Sequence, residues 1–355
     1  MRLVFVTQRV DPADPVLGAT VAKIRALAAR CDEVVVLADT AVPGALPSNC
    51  RVRLFASPLR VGRGARFEQA LLAELRRRPR PAAVIAHMCP IYAVLAAPLA
   101  RPLGVQVMLW YAHWNRSRML EAAVRASSVV VSVDARSVPV ASSKVVGIGH
   151  GIDVADFPCA PPPAGGSLEL VSLGRYSAAK GIDTAVRAVA AARAAGIAAS
   201  LRCHGTAVHP GEPENLERLR RLVAELQLAD VVELGGPVPR SEIPDVLGAS
   251  AALVNNSRPG APDKVVFEAC ASCRPVLVSN VVFDEILDGL EPWLHFEPDD
   301  VDGLAASIGK LALLDAGARL AIGRTLRERV LQRHSVVSWA DAVVRLASRR
   351  ESARS

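Results

Sequence analysis

Aromatic side chains make up only 4% of the 355 residues, so stacked rings cannot fill the interior, and Ala, Val and Leu must do so. Such a core suits helices packed on a parallel sheet better than a β-sandwich. The same scarcity, with no binding motif in evidence, argues against a nucleic-acid partner. Lysine is nearly missing as well, supplying 5 of 42 basic residues. The longest stretch without Asp, Glu, Lys or Arg is Pro81–Ala100, 20 residues. His87, Pro90 and Pro98 divide it into a strand, a turn and a short helix, which reads as soluble βα core rather than a membrane span. No secretory leader is visible: Met1-Arg2 runs straight into the strand-like Leu3-Val4-Phe5-Val6. Seven scattered cysteines, an odd number, do not form a disulfide framework. Cys270 and Cys273 make a C-x-x-C with no second pair at zinc-like spacing, so they are expected to pack in a helix, and a reducing cytoplasm fits.

What is present is apolar and regularly patterned. Hydrophobic residues reach 51% and the mean hydropathy is +0.27, which excludes a disordered chain. The length predicts two domains of roughly 150–180 residues. Charge divides them: residues 1–150 carry 20 Lys and Arg against 9 Asp and Glu, whereas residues 151–355 carry 22 against 26. The first half is therefore +11 and the second −4, and a basic half attracts an anionic partner. Arg60–Arg66 and Arg76–Arg80 flank an expected helix and are either a solvated face or a contact for anionic lipid.

Strand-like runs alternate with helical ones: Leu3–Thr7, Glu33–Ala38, Val52–Phe55, Ala83–Ala86, Val105–Trp110, Val129–Val133 and Lys144–Ile148, with helices over Ala19–Arg30 and Arg66–Arg77. Residues 158–166, rich in Pro and Gly, read as a linker. The pattern restarts at Leu168–Leu173 and runs through Ser200–His204, Val231–Leu234, Ala252–Asn255 and Val276–Ser279. Helices are expected over Thr184–Ala195, Glu214–Leu226, Ala318–Arg333 and Val337–Arg349. This rhythm predicts an α/β protein of two doubly wound, Rossmann-like domains facing each other across a cleft. The domains are residues 1–157 and 167–336, and the C-terminal helix (about 337–355) is expected to pack back on the first.

Two loops carry charge where such sheets bind ligands. Gly174-Arg175-Tyr-Ser-Ala-Ala-Lys180-Gly181 joins a strand to a helix, and its two cations can either close on a diphosphate or lie solvated at a capped helix start. Pro259-Gly-Ala-Pro-Asp263-Lys264-Val-Val-Phe-Glu268 follows the strand Ala252–Asn255 and opens another helix near Pro262 or Asp263. Glu268 could there accept bonds from the vicinal hydroxyls of a ribose, or simply complement the helix dipole. Gly147-Ile-Gly149-His-Gly151 lacks the third glycine of a dinucleotide fingerprint and precedes no long helix. Asp300-Val-Asp302 reads as a helix start rather than a metal motif.

The segments GRYSAAKG, GGPVPRSEI and SRPGAPDKVVFEACASCRPVLVSN, in that order, resemble the nucleotide-sugar half of retaining glycosyltransferases of family 4, of GT-B architecture. AVIAHMCP, LWYAHWN and VVGIGHGIDVADFP resemble that family's amino-terminal domain, so the likeness covers essentially the whole chain. It implies that Arg175 and Lys180 hold the donor diphosphate and stabilise the leaving group. Glu268 would bind the ribose, and Gly236, Pro237 and Val238 would lie against the nucleobase. Ala261, Asp263 and Lys264 would offer amides to the donor, Gly18 would admit the phosphates, and His113 would sit beside the reacting sugar. One departure stands out: the carboxylate the family commonly places seven residues before Glu268's counterpart is replaced here by Gly260.

The implied activity is a metal-independent, retaining transfer of a hexose from a nucleotide-diphosphate sugar to a glycan, glycolipid or small-molecule acceptor. UDP is favoured as the nucleotide and GDP is possible. The implied setting is bacterial cell-surface polysaccharide or glycolipid biosynthesis, in the cytoplasm or peripherally on the inner face of the membrane. No separate cofactor is expected. Two alternatives remain open, a nucleotide-sugar epimerase on the same scaffold and a non-catalytic nucleotide-sugar-binding homologue.

Overall fold

The computed structural model describes residues 1–14, 17–161, 167–258, 260 and 262–349. In chain order the first half runs β1 (Arg2–Val10), α1 (Ala19–Ala28), β2 (Glu33–Ala41), β3 (Cys50–Leu54), α2 (Arg60–Arg76), β4 (Ala83–His87) and α3 (Pro90–Ala100). It continues through β5 (Gln106–Trp110), α4 (Arg118–Ala126), β6 (Val129–Ser132) and β7 (Val145–Gly147). The second half runs β8 (Leu168–Leu173), α5 (Ile182–Ala194), β9 (Ala199–His204), α6 (Glu212–Glu225), β10 (Val232–Gly235) and α7 (Ile243–Ala249). Then come β11 (Ala252–Asn255), α8 (Lys264–Ala271), β12 (Val276–Val278), α9 (Asp284–Leu287), α10 (Val301–Leu313), α11 (Ala316–Arg329) and α12 (Val336–Ser348).

All strands pair in parallel, in two sheets. The first has the order β3-β2-β1-β4-β5-β6-β7 and the second β10-β9-β8-β11-β12. Both are doubly wound, as the strand–helix rhythm predicts. The chain divides into two compact units: Met1–Asp153 with the segment from Arg333 onwards, and Val154–Gln332. Helices cover both faces of the first sheet, which is why its central strands β1 and β4 are buried over long apolar runs, whereas β9 of the second sheet alternates. In β1, Leu3, Val4, Phe5 and Val6 are all fully buried. Alanines of α3 (Ala93, Ala96, Ala97 and Ala100) let that helix lie close against the strands.

Three features correct the reading of the sequence. Helix α2 starts at Arg60, six residues before the expected Arg66. Gly62 and Gly64 lower helix propensity by about 1 kcal/mol each, but burial of Phe67, Leu71 and Leu75 holds the helix in place. The basic residues around it are also not all solvated. Glu74 is fully buried and pairs with Arg2, Arg51, Arg53 and Arg77. Burial alone would raise its carboxyl, yet the Arg51 hydrogen bonds and the neighbouring cations hold it below its ordinary value.

The third correction concerns cysteine. Cys273 lies beyond the end of α8 with a positive φ of 56° and is bonded to Cys159, with Cα atoms 5.1 Å apart. The partners are 114 residues apart in sequence, so only the fold brings them together. Cys270 does pack in the helix, fully buried, and the other described cysteines are free.

The 147–151 glycines serve packing. Gly149 has φ +80°, and a Cβ there would lie 1.8 Å from the Arg333 carbonyl oxygen. That close approach lets the C-terminal segment run beside Ile152, which bridges Ser335. Trp339 of α12 is fully buried in the same unit and meets Trp110 edge-on at 5.6 Å, with Lys23 over both rings. Asp300 caps α10 by accepting from the Gly303 amide, so the Asp-x-Asp is a helix start, as its sequence suggests.

Candidate functional site

In the second unit the strand order reverses between β8 and β11, and open α/β sheets bind ligands at the carboxyl ends of the strands beside such a reversal. Both charged loops lie there. Arg175 and Lys180 follow β8; Asp263, Lys264 and Glu268 follow β11, the neighbouring strand.

The first loop is fixed from below. Tyr176 is buried, and its hydroxyl lies 2.7 Å from the Gly235 carbonyl and 2.9 Å from that of Cys203, which ties the loop to the ends of β9 and β10. Burial pushes this phenol above its ordinary range. Asn215 Nδ2 donates to the Tyr176 carbonyl at 2.9 Å. A single 3-10 turn, Ala178–Lys180, then meets Gly181 at φ +50°. A Cβ on Gly181 would lie 2.1 Å from Asn256 Nδ2, so only glycine allows the two loops to meet.

Lys180 folds back over Gly174 and its ammonium pairs with Asp263, which also accepts from Asn255 Nδ2 at 2.8 Å. Asp263 is the residue just before α8, so this ion pair joins the β8 loop to the start of that helix. Glu268, only 2% exposed, takes Lys264 Nζ at 2.8 Å and Arg240 Nη1 at 3.1 Å on one oxygen. Arg175 points elsewhere, its guanidinium 2.8 Å from Glu212 at the start of α6. The fold therefore sets two ion pairs at the start of α8, Lys180 with Asp263 and Lys264 with Glu268, and leaves Arg175 on a separate carboxylate. Gly236 and Pro237 are exposed beyond β10, and nothing lies within 4 Å of a Cβ built on Gly236. Val238 is half-buried. Ala261 lies outside the described residues.

Several residues of this site escape a reading of the sequence. Arg240, Asn255, Asn256 and Asp299 hold the two loops, and Glu212 holds Arg175 apart from them; Asn256 Nδ2 reaches both the Gly181 carbonyl and Asp299. The Asn255-Asn256-Ser257 run that ends β11 was the available signal, since polar residues at the carboxyl end of a strand beside the reversal lie at the ligand crevice. Arg240 and Glu212 offered no comparable signal, because their partners are distant in sequence.

In the first unit, His113 follows β5. Its Nδ1 accepts from the Asn115 amide at 3.0 Å, and its ring stacks on Trp114. Gly18 immediately precedes α1 in ordinary right-handed conformation. Among the described residues, no three His, Cys, Asp or Glu side chains come together to hold a metal ion. Nor is any described helix long and apolar enough to cross a membrane. A cavity of about 600 Å³ lined by Leu168, Ile197, Ala306, Lys310 and Arg319 lies at the amino ends of β8 and β9, away from these loops.

Chemically, the second-unit site offers cations and the amino end of α8 in one place, an arrangement that can hold a phosphorylated anion. Residues 167–313 match the family described as Glycosyl transferases group 1. Among curated proteins, the chain is 28% identical over 191 residues to one from Salmonella typhimurium named as a colanic acid biosynthesis glycosyltransferase, WcaL. That match takes in 51% of this chain and 45% of the relative, so the chain matches about half the length of such relatives. Among solved structures, the Anabaena protein HepE in complex with UDP and glucose superposes with a TM-score of 0.72 at 17% identity, covering 98% of this chain and 100% of that one. A Rickettsia africae glycosyltransferase gives a TM-score of 0.74 at 14% identity, covering 99% of each. At those identities the structures establish the fold, two Rossmann-like domains of the GT-B class. The family match over the second unit and this shared fold together support a glycosyltransferase.

Proposed function

We propose that the chain is a retaining glycosyltransferase that transfers a hexose from a nucleotide-diphosphate sugar to a glycan or glycolipid acceptor in bacterial surface polysaccharide synthesis. One observation carries the reading. Within the family-matched segment, Lys180 of the β8 loop meets the start of α8 at the reversal of strand order through its pair with Asp263. Arg175 and Lys180 would neutralise the diphosphate as it departs, where fixed charge stabilises the transition state most. They would supply the charge that a metal ion brings elsewhere, so the transfer is expected to be metal-independent. Glu268 has one oxygen committed to Lys264 and Arg240 and would offer the other to the ribose hydroxyls. Gly236, Pro237 and Val238 would border the nucleobase. Gly18 and His113 would serve the donor phosphates and the reacting sugar.

UDP is the expected nucleotide, in keeping with the UDP and UDP-glucose complexes of HepE. GDP is the other option. The polysaccharide setting follows the name given to the WcaL relatives. Work on the cytoplasmic face, with the basic first unit against anionic lipid, completes the proposal.

A melting-temperature panel of UDP-, GDP-, ADP- and TDP-sugars tests it, because a ligand that binds the native state raises stability. One donor class should stabilise the protein, and NMR of the product should show the donor's anomeric configuration kept. Isomerised nucleotide sugar without an acceptor would point to the epimerase, and tight binding without turnover to a non-catalytic binder. No response to any nucleotide would refute the proposal.

A further inference from the structure

The first sheet has its own reversal, between β1 and β4, and the carboxyl ends there carry a polar group that the donor site does not use. Asp39 lies near the end of β2, beside β1. Tyr92 is in the first turn of α3, just past β4, and Arg63 is in the first turn of α2. The Tyr92 ring is held edge-on by Phe55 at 5.2 Å and against Phe67 at 4.8 Å, and its hydroxyl feels the charges of Asp39 and Arg63. Arg63 is anchored by Nε and Nη2 to the Ser57 carbonyl at 3.4 and 3.3 Å, and its Nη1 lies 3.5 Å from Asp39 Oδ2.

Asp39 Oδ1 is buried without a hydrogen-bond partner. Buried carboxylate oxygens are ordinarily satisfied, so an orphan at a sheet reversal marks a place for a donor from outside the chain. The side chain as a whole is 19% exposed although Oδ1 itself is buried, so an outside hydroxyl reaches the unsatisfied oxygen when rotation about Cβ–Cγ exchanges the two carboxylate oxygens.

We propose that Asp39, Arg63 and Tyr92 form a hydroxyl-recognition subsite for a carbohydrate acceptor; this rests on the glycosyltransferase reading above. The charges select the ligand. Asp39 repels an anion such as a phosphate, Arg63 repels a cation, and a neutral polyol uses both, donating to the carboxylate and accepting from the guanidinium or phenol. Burial pushes the Asp39 carboxyl up from its ordinary value with Arg63 opposing, as expected of an under-solvated acceptor. Burial pushes the thiol of Cys89, which the Asp39 charge also reaches, up to about 11, which disfavours its thiolate.

The test separates this subsite from the donor site. With the nucleotide sugar found by the melting panel, two rates are measured: hydrolysis of donor without acceptor, and transfer to octyl glucosides and galactosides of both anomers. Asp39→Asn should raise the acceptor KM at least about 10-fold, the scale of one charge-assisted hydrogen bond. Donor hydrolysis and the donor-induced melting shift should stay within about twofold of wild type. Tyr92→Phe, which keeps the ring packing, should move the acceptor KM in the same direction. A wild-type acceptor KM in Asp39→Asn, or hydrolysis falling in step with transfer, would overturn the subsite. So would a wild-type enzyme that hydrolyses donor yet ignores every glycoside. If the wild type neither hydrolyses nor transfers from any donor, the glycosyltransferase reading fails first and the subsite with it.

Discussion

Lys180 shows how much of a functional side chain is visible before folding. Its loop, its charge and its distance from Arg175 can all be read from the sequence, but its partner cannot. Asp263 is 83 residues further on, and the two meet because β8 and β11 are neighbours in the sheet. Glu212 as the partner of Arg175, and Arg240 as the partner of Glu268, were illegible for the same reason. If Arg175 and Lys180 face a departing diphosphate, Arg175→Ala and Lys180→Ala should each lower turnover at least about 100-fold, the scale of one lost transition-state stabiliser. Steady-state kinetics with the stabilising donor checks this, and near-wild-type transfer by both variants would sink the assignment. Glu212 gives a control: Glu212→Gln should disturb transfer far less, because Arg175 keeps its own charge.

At the scale of elements, the clearest lesson is the segment from Val154 to Pro161. Residues 158–166 read as a linker in the sequence; 162–166 lie outside the described residues, and three contacts tie Phe157–Pro161 to the second unit. Cys159 is bonded to Cys273, and the fully buried Arg274 donates to the Ala160 carbonyl at 2.9 Å as well as to the Leu247 and Gly248 carbonyls at the end of α7. Arg327 of α11 donates to the Phe157 carbonyl at 2.5 Å. Both arginines sit among carbonyls, where burial lowers their affinity for the proton, so the contacts stand in for lost hydration. A closed loop of 114 residues restricts the unfolded chain, and Cys159→Ser should cost about 2–4 kcal/mol in urea unfolding under oxidising conditions. The same variant should match wild type once a dithiol is added. Equal stability of the two proteins without reductant would remove the disulfide from the account.

For the molecule as a whole, the meaning of the +11 of residues 1–150 changes. Four arginines of that half meet around the buried Glu74, and Arg63 reaches Asp39, so these five of its 20 cations hold carboxylates while the net excess stays. Acid stability follows from buried histidines instead. His87 is held well below its ordinary value of 6.5 by burial, with Lys23 adding to the effect. His334 is lowered to about 3 by burial, with Arg333 adding and Asp134 opposing. A folded-state value below the unfolded one means that the native form keeps the ring neutral. That stability is complete above about pH 6.5 and is lost as pH falls toward the folded value. The loss approaches about 1.4 kcal/mol per pH unit for each ring. The melting temperature should therefore fall steadily from pH 7 to pH 4, with a gentler slope in His334→Gln. A flat profile between pH 7 and pH 5 would contradict the burial of these rings.

The sequence by itself determined what is local and periodic. All twelve strands, most helix starts and the two-domain count follow from apolar runs, turn residues and caps, because those signals act within a few residues. The motif loops were legible as well, since each lies between a strand and a helix. Tertiary structure alone decided which strands are neighbours, and through them every long-range partnership: Lys180 with Asp263, Glu268 with Arg240, Cys159 with Cys273, and Asp39 with Arg63 and Tyr92. A side chain's hydrogen bonds and burial depend on elements tens of residues away, and strand order brings those elements together without leaving a trace in local composition.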